Sequence, residues 1–303
     1  MKILVLGGGT SPERDVSLRS AAAVTRALEE AGFEVQTADP KNGYDVLRQL
    51  APGTIVLPIL HGAEGEDGGT QKILEDAGLP FLGSTSEVSR VCFDKDIVRE
   101  KLKEAEIPVA EGASVTAETY PENPISKQPH VLKAQRGGSS IGTYIVRNPS
   151  ELDPAKVDEV FSLDDHAILE TLIEGVEITV PVLDGMALPV IEIVAPEDGE
   201  FDYENKYNGK SQEICPADSL TSEQQIAAQK LAEQVDKLLG CRHLSRIDMF
   251  MQPDGSFIVL EANTIPGLTD QSLFPLSARV AGMPMPQLVT KFIELIKRDY
   301  NLS

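Results

Sequence analysis

Residues Leu244–Leu273, LSRIDMFMQPDGSFIVLEANTIPGLTDQSL, place charged groups where a strand should bury hydrocarbon. Period-2 alternation over Leu244–Met251 puts Leu244, Arg246, Asp248 and Phe250 on one face of a strand, with Ser245, Ile247, Met249 and Met251 on the other. The same rule over Phe257–Asn263 groups Phe257, Val259, Glu261 and Asn263. With Pro253–Ser256 as a four-residue hairpin loop, Gln252 faces Phe257, Asp248 faces Glu261 and Arg246 faces Asn263. Directly opposed side chains lie about 5 Å apart, so two carboxylates confront each other on an otherwise apolar hairpin. They repel unless a cation lies between them. Two carboxylates with an amide oxygen suit a hard ion such as Mg²⁺, which commonly completes its shell with phosphate oxygens and water. A solvated face carrying the same charges is the alternative reading of this stretch alone.

The rest of the chain narrows the class of partner. Its 303 residues are enough for more than one domain. Twenty-seven Lys+Arg against 48 Asp+Glu give a net charge of −21, which argues against a nucleic-acid partner, whose affinity comes from clustered Lys and Arg. The three cysteines, Cys92, Cys215 and Cys241, are widely spaced and show no metal-ligand pattern, so a reducing, cytoplasmic compartment is expected. No apolar run approaches the ~20 residues of a membrane helix. The N-terminus reads as a first strand rather than a signal peptide.

Along the chain, Lys2–Leu6 is a buried parallel strand running into Gly7-Gly8-Gly9, and Ser17–Ala31 a helix with Leu18, Ala21, Ala22, Val24, Thr25 and Leu28 inward. Strands are expected over Phe33–Ala38, Thr54–Leu60 and Pro80–Phe81, with a helix over Thr70–Asp76. This β-α-β alternation predicts a parallel, three-layered α/β unit over about the first 90 residues. The glycines after the first strand lack GxGxxG spacing. His61-Gly-Ala-Glu-Gly-Glu-Asp-Gly-Gly69 follows a strand at the end where open α/β sheets bind ligands. Ser86–Ala105 reads as one long helix carrying Asp94-Lys95. Beyond Ile107-Pro108 a separate unit begins: strand His130–Lys133, the Gly/Ser loop Gln135–Gly142, and strand Thr143–Val146. A strand–loop–strand of this composition can cover phosphates with backbone N–H groups, and Lys133 adds a positive charge. Further strands are expected over Ala167–Ile173, Glu177–Leu183 and Pro189–Ile193. Glu170 there is either the cap of a base edge or the polar side of an edge strand. Asp202–Gly209 is a polar, aromatic loop suited to an active-site lid. Helices over Ser222–Leu239, with Ile226, Leu231, Val235 and Leu238 inward, and over Met285–Arg298, with Leu288, Phe292, Leu295 and Ile296 inward, complete the pattern.

Taken in order, these motifs resemble a known family. HGxxGEDG, Asp-Lys, a lysine before a Gly-Ser-Ser loop, a Lys-Tyr lid, Arg-x-Asp and Glu-x-Asn-x-x-Pro-Gly-x-Thr form the set found in the D-alanine–D-alanine ligases of the ATP-grasp superfamily. The resemblance runs from Glu13 to Leu273 and into the last helix. It implies an α/β fold, α+β in parts, with three-domain ATP-grasp architecture: an N-terminal parallel α/β substrate domain (1–92), a central domain (93–178), and a C-terminal domain (179–303) carrying the lid, metal and oxyanion sites. It also implies ATP-dependent joining of two D-alanines through an acylphosphate, with release of ADP and phosphate, for peptidoglycan precursor synthesis. Carried over by position, Lys95 and Lys133 contact phosphates, with Ser139 and Ser140 in the covering loop. Glu170 binds the adenine amino group, the backbone of Thr171–Ile173 the ring, Glu177 the ribose, and Lys206 the γ-phosphate. Asp248, Glu261 and Asn263 ligate two Mg²⁺ ions, for which Mn²⁺ could substitute. Arg246 and the Gly267 N–H stabilise the oxyanion. Glu13 binds the first ammonium and forms a triad with Ser139 and Tyr207. Ser272 and the Leu273 N–H hold the second carboxylate, and His61 is a positioning group on the substrate side. A homodimer without membrane or nucleic-acid partners is expected from the same source.

Several positions depart from the family pattern. Thr70 stands where an aliphatic residue is usual, Lys72 where a small one is, Ala134 where a proline is, and Gly138 where an acid often is. His243-Leu244-Ser245 replaces a more glycine-rich run. A relative using D-lactate or D-serine as second substrate, and a nucleotide-binding regulatory protein without turnover, are the competing functional readings. A nicotinamide oxidoreductase is disfavoured by the first turn's glycine spacing.

Overall fold

In the computed structural model, residues 2–138, 141–194 and 212–302 are described. Ser139, Ser140, Lys206 and Tyr207, with the whole expected lid loop, lie outside that set.

The first unit follows from its apolar runs. Strand β1 (Lys2–Leu6) leads into helix α1 (Arg14–Glu30), then β2 (Glu34–Ala38), β3 (Ile55–Pro58) and helix α2 (Gly69–Asp76). The strands form a parallel sheet in the order β2-β1-β3, and Phe81 adds a single bridge to Val56. Helix α1 begins three residues before its expected start, and Leu18 is exposed rather than inward. Its buried stripe is instead Val16, Ser17, Ser20, Ala21, Ala23, Val24, Ala27 and Leu28, because small residues let the helix sit close to the sheet.

The single helix expected over Ser86–Ala105 is two, α3 (Ser86–Phe93) and α4 (Lys95–Glu104). Asp94 between them is extended, at φ −98°, ψ 105°, and its carboxylate accepts from the Asp96 and Ile97 N–H groups. An aspartate at a cap position satisfies orphan amides that would otherwise need the preceding turn. The Lys95 N–H turns instead to the Gln135 carbonyl, at 3.1 Å.

A second, antiparallel sheet has the order β4-β7-β5-β6, from β4 (Gly112–Val115), β5 (His130–Ala134), β6 (Thr143–Val146) and β7 (Ala167–Thr171). Helix α5 (Pro154–Leu163) precedes β7. A third sheet holds β8 (Val176–Leu183), β9 (Met186–Ala187), β10 (Ile191–Val194), β11 (Gln212–Ile214), β12 (Leu244–Met251) and β13 (Phe257–Asn263) in the order β11-β10-β8-β12-β13, with β9 on β8. Helix α6 (Ser222–Leu239) covers this sheet, capped by Thr221 in a capping box and closed by left-handed Gly240. Its buried face is Ala228, Ala232, Val235, Asp236 and Leu239; Ile226 and Leu238, expected inward, are 50% and 40% exposed. The alanine stripe again sets the face that approaches the strands.

The chain closes with α7 (Leu273–Val280) and α8 (Met285–Asp299), which pack against the first unit. Phe274, Leu288, Phe292 and Ile296 share one core with Ile3, Val5, Val24, Leu28 and Leu57. The end of the chain thus completes the core begun by its first strand, fixing β12 and β13 relative to the first sheet. Among the described residues, no helix is long and apolar enough to cross a membrane.

The hairpin between β12 and β13 pairs as expected at its functional end and differently at its turn. Asp248 lies opposite Glu261 and Arg246 opposite Asn263. Nearer the turn, Met251 rather than Gln252 pairs with Phe257, and the register shifts by one between Asp248 and Met249. The extra residue, Leu260, is a β-bulge that reverses the inward face of β13. Phe257, Val259 and Ala262 are therefore buried, and Glu261 and Asn263 lie on the other face rather than with Phe257 and Val259.

Candidate active site

The face of the third sheet that lacks a helix opens onto a cavity of about 700 Å³. Alternation along β8 and β12 points Glu177, Thr179, Arg246 and Asp248 into it, and the bulged β13 adds Glu261 and Asn263. The opposite wall carries Glu13 and His61 from the first unit, and Gly267, Ser272 and Leu273 close one end. A narrower slot of about 170 Å³ adjoins it, lined by Val131, Lys133, Ile145, Glu170, Thr171, Leu172, Ile173, Phe250 and Leu260. Lys95, Glu177, Asp248 and Glu261 line both spaces, which makes them one continuous cleft with an apolar slot at one end and a polar chamber at the other.

At the junction, both oxygens of Asp248 accept from Arg246, Nε to Oδ1 and Nη2 to Oδ2, each at 2.8 Å. Thr179, directly opposite Asp248 on β8, donates to Oδ1 at 2.5 Å. The Asn263 Oδ1 accepts from the Ile265 N–H at 2.9 Å, which fixes the amide's orientation. Lys95 donates to the Gly137 carbonyl at 2.6 Å. Burial of its ammonium pulls its pKa below the ordinary lysine value, and the nearby Glu261 carboxylate opposes that shift. Two acids, an amide oxygen and a lysine thus converge where the slot meets the chamber.

In the slot, Glu170 is buried and doubly paired, with Lys133 Nζ at 2.7 Å and Arg99 Nε at 3.1 Å. Of the two alternatives left open for Glu170, the edge-strand surface is wrong, because β7 lies between β4 and β5. The Thr171 N–H donates to Glu111 O at 2.8 Å and the Leu172 N–H to Pro129 O at 3.1 Å. Both N–H groups are thus engaged within the protein, and the backbone polar groups this segment could still offer a ring are its carbonyls and the Ile173 N–H.

In the chamber, Glu13 is 4% exposed and packs against two glycines. A Cβ on Gly62, at φ +70°, would lie 2.6 Å from Glu13 Oε2, so the carboxylate's seat requires the bare backbone. Gly138 leaves 3.1 Å for the same oxygen, so an acid at 138 would crowd and repel Glu13. His61 Nδ1 lies 3.5 Å from Glu66 Oε1 and its Nε2 3.3 Å from Ser20 Oγ, which accepts from the Leu268 N–H at 3.3 Å. His61 therefore reaches the loop beside Gly267 through Ser20. Ser272 Oγ accepts from the Thr269 N–H at 3.0 Å, and a Cβ on Gly267 would sit 2.8 Å from it. Leu273 opens α7, where N–H groups are available to an anion.

Other departures have local causes. Ala134 donates its N–H to Gly142 O at 2.9 Å, closing the base of the Gly/Ser loop with a bond that proline could not make. Thr70 is buried, bonded to Tyr44 at 2.6 Å and to the Glu64 carbonyl at 2.5 Å. Lys72 pairs with Asp76 at the surface.

Sequence reasoning missed Glu66, Arg99, Thr179, Glu213 and Arg279. Glu66 stood within the glycine-rich acidic segment and Thr179 directly across from Asp248 in an apolar strand, so both were findable. Glu213 and Arg279 line the chamber from distant elements, and burial pushes the Glu213 carboxyl up against the opposing effect of Arg246.

The family model described as "D-ala D-ala ligase C-terminus" matches residues 102–294. The D-alanine–D-alanine ligase of Mannheimia succiniciproducens is 40% identical over 302 residues, covering 97% of each chain. That of Methylacidiphilum infernorum is 40% identical over 296 residues, covering 97% of this chain and 94% of its own. Among solved structures, the Bacillus anthracis D-alanine–D-alanine ligase complexed with ATP superposes with a TM-score of 0.86 at 30% identity, covering 99% of both chains. The VanG D-Ala:D-Ser ligase of Enterococcus faecalis gives 0.83 at 29% identity, over 98% of this chain and 99% of its own.

Proposed function

The chain belongs to the D-alanine–D-alanine ligase family, and on that premise we propose that its cleft joins two D-alanines through an acylphosphate at the expense of ATP. The observation that carries this reading is the cross-strand set Asp248, Glu261 and Asn263, placed where the apolar slot meets the polar chamber and flanked by Lys95 and Lys133. The slot takes the adenine, with the carboxylate of Glu170 toward its amino group, and Glu177 at the junction takes the ribose. Lys95 and Lys133 hold phosphate oxygens, with Ser140 of the covering loop and Lys206 of the lid completing the set.

Asp248, Glu261 and Asn263 fit Mg²⁺: an all-oxygen donor set on one face, with two carboxylates directly opposed. A carboxylate has about four lone-pair sites, so Asp248 can serve an ion while it also accepts from Arg246. When bound, Mg²⁺ neutralises charge on the transferring phosphoryl group.

In the first step a carboxylate oxygen of one D-alanine takes the γ-phosphoryl group, giving an acylphosphate and ADP. Glu13 holds that substrate's ammonium, and its triad with Ser139 and Tyr207 closes the lid. In the second step the amine of the other D-alanine attacks the carbonyl carbon, the amide forms, and phosphate leaves. Arg246 and the Gly267 N–H face the oxyanion between these events; one such donor is typically worth ~3–4 kcal/mol. Ser272 and the Leu273 N–H hold the second carboxylate, and His61 steadies the Gly267–Leu268 backbone through Ser20.

The product serves peptidoglycan precursor synthesis in the cytoplasm, and the proposed assembly is a homodimer. The proposed division is a substrate domain over 1–92, a central domain over 93–178 and a C-terminal domain from 179. Because β8 is unbroken across 178, the second edge is better drawn before Val176. The likeness to a D-Ala:D-Ser ligase makes D-serine the competing second substrate. A panel pairing D-alanine with D-alanine, D-serine or D-lactate, read by ADP release, tests specificity. D-Alanyl-D-alanine should dominate; a larger kcat/KM for either alternative would overturn the choice of second substrate.

A further inference from the structure

Three segments remote in sequence meet at His243, which lies outside the cleft. Its Nδ1 accepts from the Gly83 N–H at 3.0 Å, and its Nε2 lies 3.0 Å from Asp299 Oδ2 at the end of α8. Because Nδ1 is an acceptor, the proton sits on Nε2 and is donated to Asp299. Burial pushes the imidazole down to about 4, and Arg242 adds to the shift. The side chain is fully buried and neutral, and one tautomer satisfies both partners.

The neighbouring residue holds the same glycine from the other side. Arg242 Nε donates to the Gly83 carbonyl at 2.8 Å, and its guanidinium lies 4.8 Å from the Phe81 ring centre and 5.4 Å from that of Tyr300. Both backbone groups of Gly83 are thereby taken by the two residues that lead into β12. His243 does this at φ +68°, a conformation that favours glycine and strains a side-chain-bearing residue. A glycine there would relieve that strain but supply neither bond.

We propose that His243 is a positioning residue for amino-acid binding, clamping the first unit, which carries Glu13 and His61, at a fixed distance from the strand that carries Arg246 and Asp248. The inference rests on the ligase reading. The amino-acid chamber is built from both sides of this joint, whereas the slot walls Lys133, Glu170 and Ile173 come from elsewhere. Loosening the clamp therefore changes amino-acid binding selectively.

The test compares His243→Gly with His243→Asn. Glycine removes both bonds while easing the backbone; asparagine tolerates positive φ and keeps an acceptor and a donor. For His243→Gly the KM for D-alanine should rise about tenfold with the KM for ATP within about twofold, and asparagine should recover most of that loss. An unchanged D-alanine KM, a parallel rise in both constants, or an asparagine variant no better than glycine would overturn the proposal. ¹⁵N NMR of the wild-type imidazole supplies a readout independent of turnover: Nε2 protonated and Nδ1 bare supports the clamp, and any other state contradicts it. Wild-type protein that makes no dipeptide would count against the ligase reading alone, leaving the NMR result to decide the clamp.

Discussion

Glu261 shows how a single side chain ties the proposed ion site to the fold. It faces Asp248 across the hairpin, lines both the slot and the chamber, and is the carboxylate that most strongly favours the charged form of Lys95. Glu261→Gln keeps the size and removes the charge. ADP release should fall on the order of 100-fold or more, since electrostatic groups at such sites carry several kcal/mol of transition-state stabilisation. The melting temperature without ligand should change little, because relief of the Asp248–Glu261 pair is offset by loss of the charge that favours the buried Lys95 ammonium. Mg²⁺ with ADP should raise the melting temperature of wild type but not of the variant, as mass action requires of a ligand that binds only the native state. Steady-state kinetics and thermal melts with and without Mg²⁺–ADP check the three outcomes together.

At the scale of elements, the hairpin shows what a sequence can and cannot reveal. Asp248 opposite Glu261 and Arg246 opposite Asn263 are legible from alternation and a four-residue loop, yet the pairing at the turn differs by one residue. Leu260 absorbs that difference as a bulge, and nothing in FIVLEAN announces a bulge, because Leu260 is as apolar as its neighbours. Deleting Leu260 should therefore make the ladder continuous and leave Glu261 opposite Asp248, with Glu261 and Asn263 still on the cleft face. A protein that is folded by circular dichroism and has measurable ADP release is the expected outcome; a folded protein without activity, or one that fails to fold, would contradict this account of the bulge. The break at Asp94 was likewise hidden. Its cause is the remote carbonyl of Gln135 and a cap that competes with a helix whose apolar spacing runs straight through. The buried faces of α1 and α6 are turned from the expected ones: Leu18 and Ala22 on α1, and Ile226 and Leu238 on α6, lie at the surface. Close packing on a sheet favours the alanine stripes. Helix and strand positions set by strong periodicity, such as Ser222–Leu239 and Met285 onward, were readable because local pattern and tertiary demand agree.

At the scale of the whole molecule, the cleft exists because the chain's last helices return to its first strand. The core shared by α7, α8, β1 and α1 holds the chamber's two walls together, and the Arg242–His243 joint fixes their spacing at one edge. The result is one continuous cleft, whose slot and chamber the proposed function assigns to ATP and to two small zwitterions. Under the proposed function the first D-alanine's carboxylate is phosphorylated before the amide forms. Turnover of ATP and Mg²⁺ with D-alanine labelled by ¹⁸O in its carboxylate tests this most directly, with the released phosphate and the dipeptide both read by mass spectrometry. One ¹⁸O in each phosphate and one dipeptide per ADP are expected; unlabelled phosphate, or ADP without dipeptide, would rule the acylphosphate out.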